Sequence, residues 1–202
     1  MWQTVIKGGP VMAPIILCSF IALAIIIERA VFFYSHKFPW NAEWPSLEKL
    51  LDAKRLEDAM QFITRVGGLG SETLLAAVSS AGETKEIVAA RMQKSAKAEL
   101  LCMEKGLYWL EVIVTIAPLL GLLGTVTGII NCFNVLNLAM ANDPNILSAG
   151  IAEALITTAT GLIVAIPSYV FFSYYQNIIN RRVAKLNSLG EEVLKLTAGD
   201  GR

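Results

Sequence analysis

Residues 148–167 read "SAGIAEALITTATGLIVAIP". The stretch is apolar enough to dissolve in lipid, yet it carries one carboxylate, Glu153, followed by Thr157, Thr158 and Thr160. It lies inside a run from about Pro144 to Asn180 in which Glu153 is the only charged residue. A bilayer is crossed by about 20 helical residues at a rise of ~1.5 Å each. The run is therefore long enough to span, with more than ten residues left over to tilt or to project as helix. A charged carboxylate at the centre of a membrane costs roughly 2.5 kcal/mol or more, so such groups face a bundle interior, face a cavity, or are protonated. Glu153 has two readings on this basis. It is a polar-wall group, or it is an interfacial residue on a protruding helix, because it lies only ~13 Å along the helix from Pro144.

Two further apolar stretches flank this one. The first covers roughly 10–34 and closes with the interfacial pair Glu28-Arg29 and the run "AVFFYSHK". With Lys7 before it and no small-residue cleavage site after it, it reads as a retained membrane helix. The second runs from Gly106 to Asn142, with Glu111 near one end as a rim charge. The composition agrees: 54% hydrophobic and 17% charged, against roughly a quarter charged in soluble domains.

Basic residues set the orientation. Of the seventeen, ten fall in 35–105, whereas the connector "LNLAMANDPNIL" (136–147) has none. Arg181, Arg182, Lys185, Lys195 and Arg202 follow the third stretch. The positive-inside bias puts 35–105 and the tail in the cytoplasm, and the connector and N-terminus outside. The expected fold is an all-α integral membrane protein with three transmembrane helices, N-out and C-in. Two of the helices extend beyond the bilayer. Its segments are 1–36 (first span with the outside N-terminus), 37–105 (helical cytoplasmic segment), 106–142 (second span), 143–180 (third span) and 181–202 (cytoplasmic tail).

The cytoplasmic segment has its own helical pattern. In "WPSLEKLLDAKRLEDAMQFITRV", Leu47, Leu50, Leu51, Leu56, Ala59, Met60 and Ile63 recur at helical spacing, with Ser46 after Pro45 as the expected N-cap. The cluster "GGLGS" (67–71) ends that helix; lacking a preceding strand and a Lys-Ser/Thr pair, it reads as a turn rather than a phosphate loop. A second pattern starts near Ser71. A third starts at Lys85 and has no Pro or Gly before Gly106, so it is expected to be able to run on into the second span, with Gly106 as its weak point.

Within the second span, Gly121, Gly124 and Gly128 share a face, which argues for close helix–helix approach in lipid, within the chain or between copies. Pro118 and Pro167 each remove a backbone donor and mark possible bends. Thr125 and Thr127 have two readings, hydroxyls bonded back to the preceding turn or hydroxyls facing a hydrated path. On the third span, Thr157 and Thr160 share Glu153's face, while Thr158 is rotated by about 140°. The three cysteines, Cys18, Cys102 and Cys132, form no paired or metal-binding spacing, and one histidine cannot build a His-based metal site. No metal, cofactor or covalent catalytic machinery is expected. With zero net charge, nothing points to nucleic acid.

The segments "APLLGLLGTVTGI" (117–129) and "GIAEALITTATGLIVAIP" (150–167) resemble the two signature segments of the MotA/TolQ/ExbB proton channel family, most closely its ExbB/TolQ branch. ExbB and TolQ sequences often carry Trp after "GTV", where this chain has Thr127. The resemblance implies a homopentamer whose second and third spans surround a pore. The pore would hold the single spans of a partner dimer similar to ExbD or TolR, bearing an essential Asp. It implies Thr125 and Thr158 as pore threonines and Glu153 as the third span's glutamate, whereas helical geometry groups Glu153 with Thr157 and Thr160. The implied function is a proton-driven inner-membrane motor acting on a periplasmic TonB- or TolA-like protein. TonB-type outer-membrane import is the expected client process, with TolQ-like envelope maintenance and a passive membrane scaffold as alternatives. A secondary transporter would show internal repeats and more spans.

Overall fold

The structure, a computed structural model, describes residues 9–139 and 144–197. Side-chain surroundings are defined there except at 135–139, 144–147, 149 and 197. Residues 140–143 of the connector 136–147, with the Asn142 end of the second span, most of the segment before α1 and the last residues of the tail lie outside what is described. Among the described residues the helices in order are α1 (Met12–Ser35), α2 (Trp40–Asp52), α3 (Leu56–Val66), α4 (Ser71–Ser79), α5 (Lys85–Glu104), α6 (Leu107–Ala139) and α7 (Pro144–Thr197). Among the described residues there is no strand. Among the described residues, three helices are long and apolar enough to cross a membrane: those containing Met12–Ser35, Leu107–Asn134 and Gly150–Leu196. The described residues are thus helices and their connections, and three of the helices are compatible with membrane spans.

Contacts divide the chain into two compact units, Met1–Arg29 with Gly106–Tyr174, and Ala30–Lys105 with Tyr175–Arg202. In the first unit the apolar helices bury little against one another. Met12, Ile15 and Ala22 of α1 are buried, but Phe20, Leu23 and Ile27 are more than half exposed. On α6, Leu119, Leu122 and Phe133 are likewise turned outward. Such surface is stable only against hydrocarbon or another apolar protein face.

The second unit is packed as a water-facing domain is. Trp40, Trp44, Leu47, Leu51, Ala59, Ile63, Leu74, Val78 and Val88 close a core together with Leu186, Leu189 and Val193 of α7. Those last three positions, at i, i+3 and i+7, put one stripe of α7 into the core. The helix therefore does not stop at Asn180; it stays helical to Thr197 because its amphipathic end has a core to join.

Three sequence expectations are corrected here. Ser46 does not cap a helix: α2 begins six residues earlier at Trp40, behind Pro39, and includes Pro45. Trp40 anchors that start, fully buried with its indole N–H donated to the Leu69 carbonyl at 3.0 Å. The pattern 44–66 is not one helix but two. The chain reverses through Lys54, whose φ is +54°, and the Arg55 N–H bonds to the Leu50 carbonyl, so α2 and α3 both present apolar faces to one core. Finally, α5 does not run on into α6; the helix breaks at Gly106, the expected weak point. Gly106, at φ +81°, breaks the helix between Glu104 and Leu107, a conformation that glycine adopts without a Cβ penalty.

The start of α4 is capped from a distance. Glu99 of α5 accepts from the Gly70 N–H at 2.6 Å and the Thr73 N–H at 3.1 Å, donors that a helix N-terminus cannot satisfy internally. Burial holds this carboxyl above its ordinary range. The two N–H bonds pull it down, and the charge of Glu72 adds to the upward push.

Candidate functional site

The polar residues of the two signature segments meet in the first unit, where α6 and the first part of α7 run antiparallel. Successive contacts step in opposite directions along the two helices. A Cβ built on Gly161 would lie 2.5 Å from the Ala117 carbonyl oxygen, one on Gly121 would lie 3.0 Å from Thr158 Cα, and one on Gly124 would lie 2.3 Å from Thr157 Cγ2. Farther along, a Cβ on Gly128 would meet the Ala154 methyl at 3.1 Å, and one on Gly150 the Cys132 sulfur at 2.7 Å. Gly121, Gly124 and Gly128 thus pack within the chain, and their missing side chains are what let the backbones approach. The matching small residues on α7, Gly150, Ala154 and Gly161, form a stripe that sequence reading did not single out, although their spacing of four and seven was there to be seen.

At this close approach a threonine hydroxyl reaches from one helix to the other. Thr158 Oγ1 donates to the Gly121 carbonyl at 2.9 Å. The others bond back along their own helices: Thr157 to the Glu153 carbonyl at 2.9 Å, Thr160 to that of Ile156 at 2.8 Å, and Thr125 to that of Leu122 at 2.6 Å. Thr127 is shared between the Leu123 and Gly124 carbonyls. Thr157 is fully buried over Gly124, whereas Thr125, Thr158 and Thr160 are partly exposed. The two adjacent threonines, Thr157 and Thr158, both face α6, so a grouping by helical angle alone does not describe this wall.

Glu153 is elsewhere. It is half-buried, and its Oε1 lies against the backbone of Gly9, where a Cβ would come within 2.3 Å. The segment just before α1 therefore abuts it, within the same unit. Pro118 and Pro167 lie inside α6 and α7, and both helices continue through them. Beside Pro167, the Ser168 hydroxyl donates to the Val164 carbonyl at 2.7 Å. Arg29 is paired with its neighbour Glu28; its side chain is 2% exposed while that of Glu28 is 56% exposed, so the pair is one-sided rather than a surface pair. Among the described residues no cluster of His, Cys, Asp and Glu could hold a metal ion.

The arrangement is a glycine-packed pair of membrane helices with hydroxyls at the seam and one carboxylate near an end. The sequence profile of the MotA/TolQ/ExbB proton channel family matches residues 52–188, which take in both signature segments. The chain belongs to the MotA/TolQ/ExbB proton channel family. It is 32% identical over 196 residues to the ExbB-like 1 biopolymer transport protein of Synechocystis, covering 93% of this chain and 75% of that one. It is 29% identical over 204 residues to the biopolymer transport protein ExbB of Salmonella typhimurium, covering 94% and 81%. A Tol-Pal system protein TolQ of Haemophilus influenzae is 32% identical over 101 residues, covering 50% and 41%. As a member of the MotA/TolQ/ExbB family the chain is a proton-channel component of a transport motor, and the seam between α6 and α7 is the part of it that the family's signature segments build.

Proposed function

We propose that this chain is the pore-forming, ExbB-like subunit of an inner-membrane motor that converts proton-motive force into mechanical work on a periplasmic partner. The observation that carries the proposal is the match over residues 52–188 together with Glu153 as the only charge in the third apolar stretch. The N-terminus and the α6–α7 connector lie outside, and the basic segment 35–105 and the tail lie in the cytoplasm. Copies of the chain, five in the reading that the resemblance supports, set α6 and α7 around a central path. A dimer of single-span subunits similar to ExbD or TolR occupies it and supplies the titrating carboxylate. Thr125, Thr158 and Glu153 line or hydrate the path, with Thr157 and Thr160 on the adjoining turns. Each proton crossing 100 mV makes about 2.3 kcal/mol available, which a TonB-like protein receives for outer-membrane import. A TolA-like recipient is the second reading, favoured by the TolQ match over half the chain.

The test is proton flux in liposomes holding the chain with its single-span partner under an imposed potential. Glu153→Ala is expected to abolish flux with the oligomer intact. Glu153→Gln retains part of it if hydration and hydrogen bonding are the residue's contribution, and none if Glu153 must titrate. No flux from the wild-type complex would make the assembly a passive scaffold. Full flux in Glu153→Ala would make Glu153 an interfacial residue packed beside Gly9.

A further inference from the structure

The second unit holds a cationic cavity that proton conduction does not use. Lys37, Arg181, Arg182 and Lys185 line a space of about 340 Å³ with Phe33 and Phe38. Among the described residues no Asp or Glu lines it. Among the described residues, none of these four cations is in an ion pair; the pairs are Arg29–Glu28, Arg55–Asp58 and Arg91–Glu83.

The positive-inside bias explains why basic residues follow the first and third apolar stretches. It does not explain why side chains nearly 150 residues apart in sequence converge on one space. Arg182 is held there: its guanidinium lies 5.0 Å from the centre of the Phe33 ring and donates to the His36 carbonyl at 3.3 Å. Phe33 in turn stacks on Tyr175 at 5.6 Å. Four like charges around one cavity repel unless an anion sits among them. The cavity's place in the sequence fixes its depth. Lys37 comes two residues after α1 ends at Ser35, and Arg181 follows directly on the apolar run that ends at Asn180. Both cross the level where an apolar helix leaves hydrocarbon for headgroups, and the aromatic lining gives an apolar floor beneath a phosphate-binding rim.

We propose that this cavity binds the phosphodiester headgroup of an anionic phospholipid of the leaflet facing the basic segment. Arginine is suited to the phosphate oxygens by its planar fork of donors, and lysine adds point charge. The bound lipid's negative charge offsets part of the repulsion within the cluster.

The experiment uses the full chain, purified in its assembled form and transferred to nanodiscs of phosphatidylcholine with or without phosphatidylglycerol. Lipids retained after mild detergent extraction are counted by native mass spectrometry. Lys37→Gln/Arg181→Gln removes two exposed cations without touching the Arg182–Phe33 stack. Phosphatidylglycerol is expected to be retained in preference to phosphatidylcholine. Retention should fall roughly 30-fold in the double variant, from about fivefold per cation at a membrane surface. Lys37→Arg/Arg181→Lys should restore it. Lys94→Gln/Lys97→Gln, exposed lysines on α5 outside the cavity, should leave it unchanged. Equal retention of the two lipids overturns the proposal, as does an unchanged double variant or an equal loss with the α5 variant. Displacement by soluble glycerol phosphate or inorganic phosphate would overturn it too, because the occupant would then be a free phosphate.

Discussion

Along α6 and the first part of α7 the close contacts are made by glycines, against backbone and small side chains; around Trp40 they are between large side chains. A Cβ on Gly161 or Gly121 would strike main-chain atoms, whereas one on Gly190 would strike only the flexible end of Met92. The contrast follows from the surroundings that each set of residues can exploit. In water, burying apolar side chains is worth about 25 cal/mol per Å², so the second unit collects them into one core. In hydrocarbon that gain vanishes, and cohesion rests on close van der Waals approach and a few interhelical hydrogen bonds. Small residues serve the first unit for the same reason that tryptophans serve the second.

The comparison can be broken first at its strongest point. Trp40→Ala should destabilise the second unit by about 3–5 kcal/mol, since it empties a fully buried site and orphans the Leu69 carbonyl. Limited proteolysis is the readout: cleavage within 37–105 should accelerate while α6 remains protected. Equal loss of protection in α6 would show that the two units do not unfold separately.

Gly124→Leu attacks the other mode of packing. Its Cβ alone would come 2.3 Å from Thr157 Cγ2, so overpacking of about 1–3 kcal/mol is expected. A cysteine pair placed across α6 and α7 should then cross-link more slowly, with the second unit's proteolytic pattern unchanged. An undisturbed cross-linking rate would mean that the seam is loose and that the glycines serve something other than packing.

Thr158→Val is a finer probe of the same seam. It keeps the volume and removes the hydroxyl that donates to the Gly121 carbonyl, a loss of about 0.6 kcal/mol for an average interhelical hydrogen bond in a membrane. Such a small structural cost makes the variant useful: proton flux that falls much further than stability would place the hydroxyl on the conduction path. The same substitution at Thr160, whose hydroxyl bonds back to Ile156, separates the family's placement of the path from the helical-face one.

The smallest effect is electrostatic and belongs to the second unit alone. Because burial raises Glu99's folded pKa above the ordinary carboxylate value of 4.5, the folded state binds more protons than the unfolded one across the window between them. That contribution to stability is present below 4.5 and is lost as pH rises through the folded value. Glu99→Gln keeps an acceptor for the Gly70 and Thr73 N–H groups but cannot titrate. Its denaturation midpoint should therefore vary less with pH over that window than the wild type's. Identical pH profiles would show that another group carries the dependence.

Apolar run lengths, the lone Glu153, the basic segment and the glycine spacing were all readable from the chain, because a bilayer imposes a composition rule on every residue that it touches. The two signature segments carried the family for the same reason: their small and hydroxylated residues are costly to place in lipid without a purpose. Other features were decided only by tertiary contact. The start of α2 at Trp40 depends on a core that includes α7, 146 residues or more away in sequence. The turn at Lys54 lets two short helices both lay their apolar faces on that core. Which of Thr157 and Thr158 reaches across to α6 was beyond helical periodicity, since adjacent residues lie about 100° apart and a close helix neighbour can touch both. The placement of Glu153 against Gly9, and of four cations around one cavity, likewise joins distant parts of the chain that no local pattern connects. Local sequence determines which surface each helix offers; only packing determines which surfaces meet.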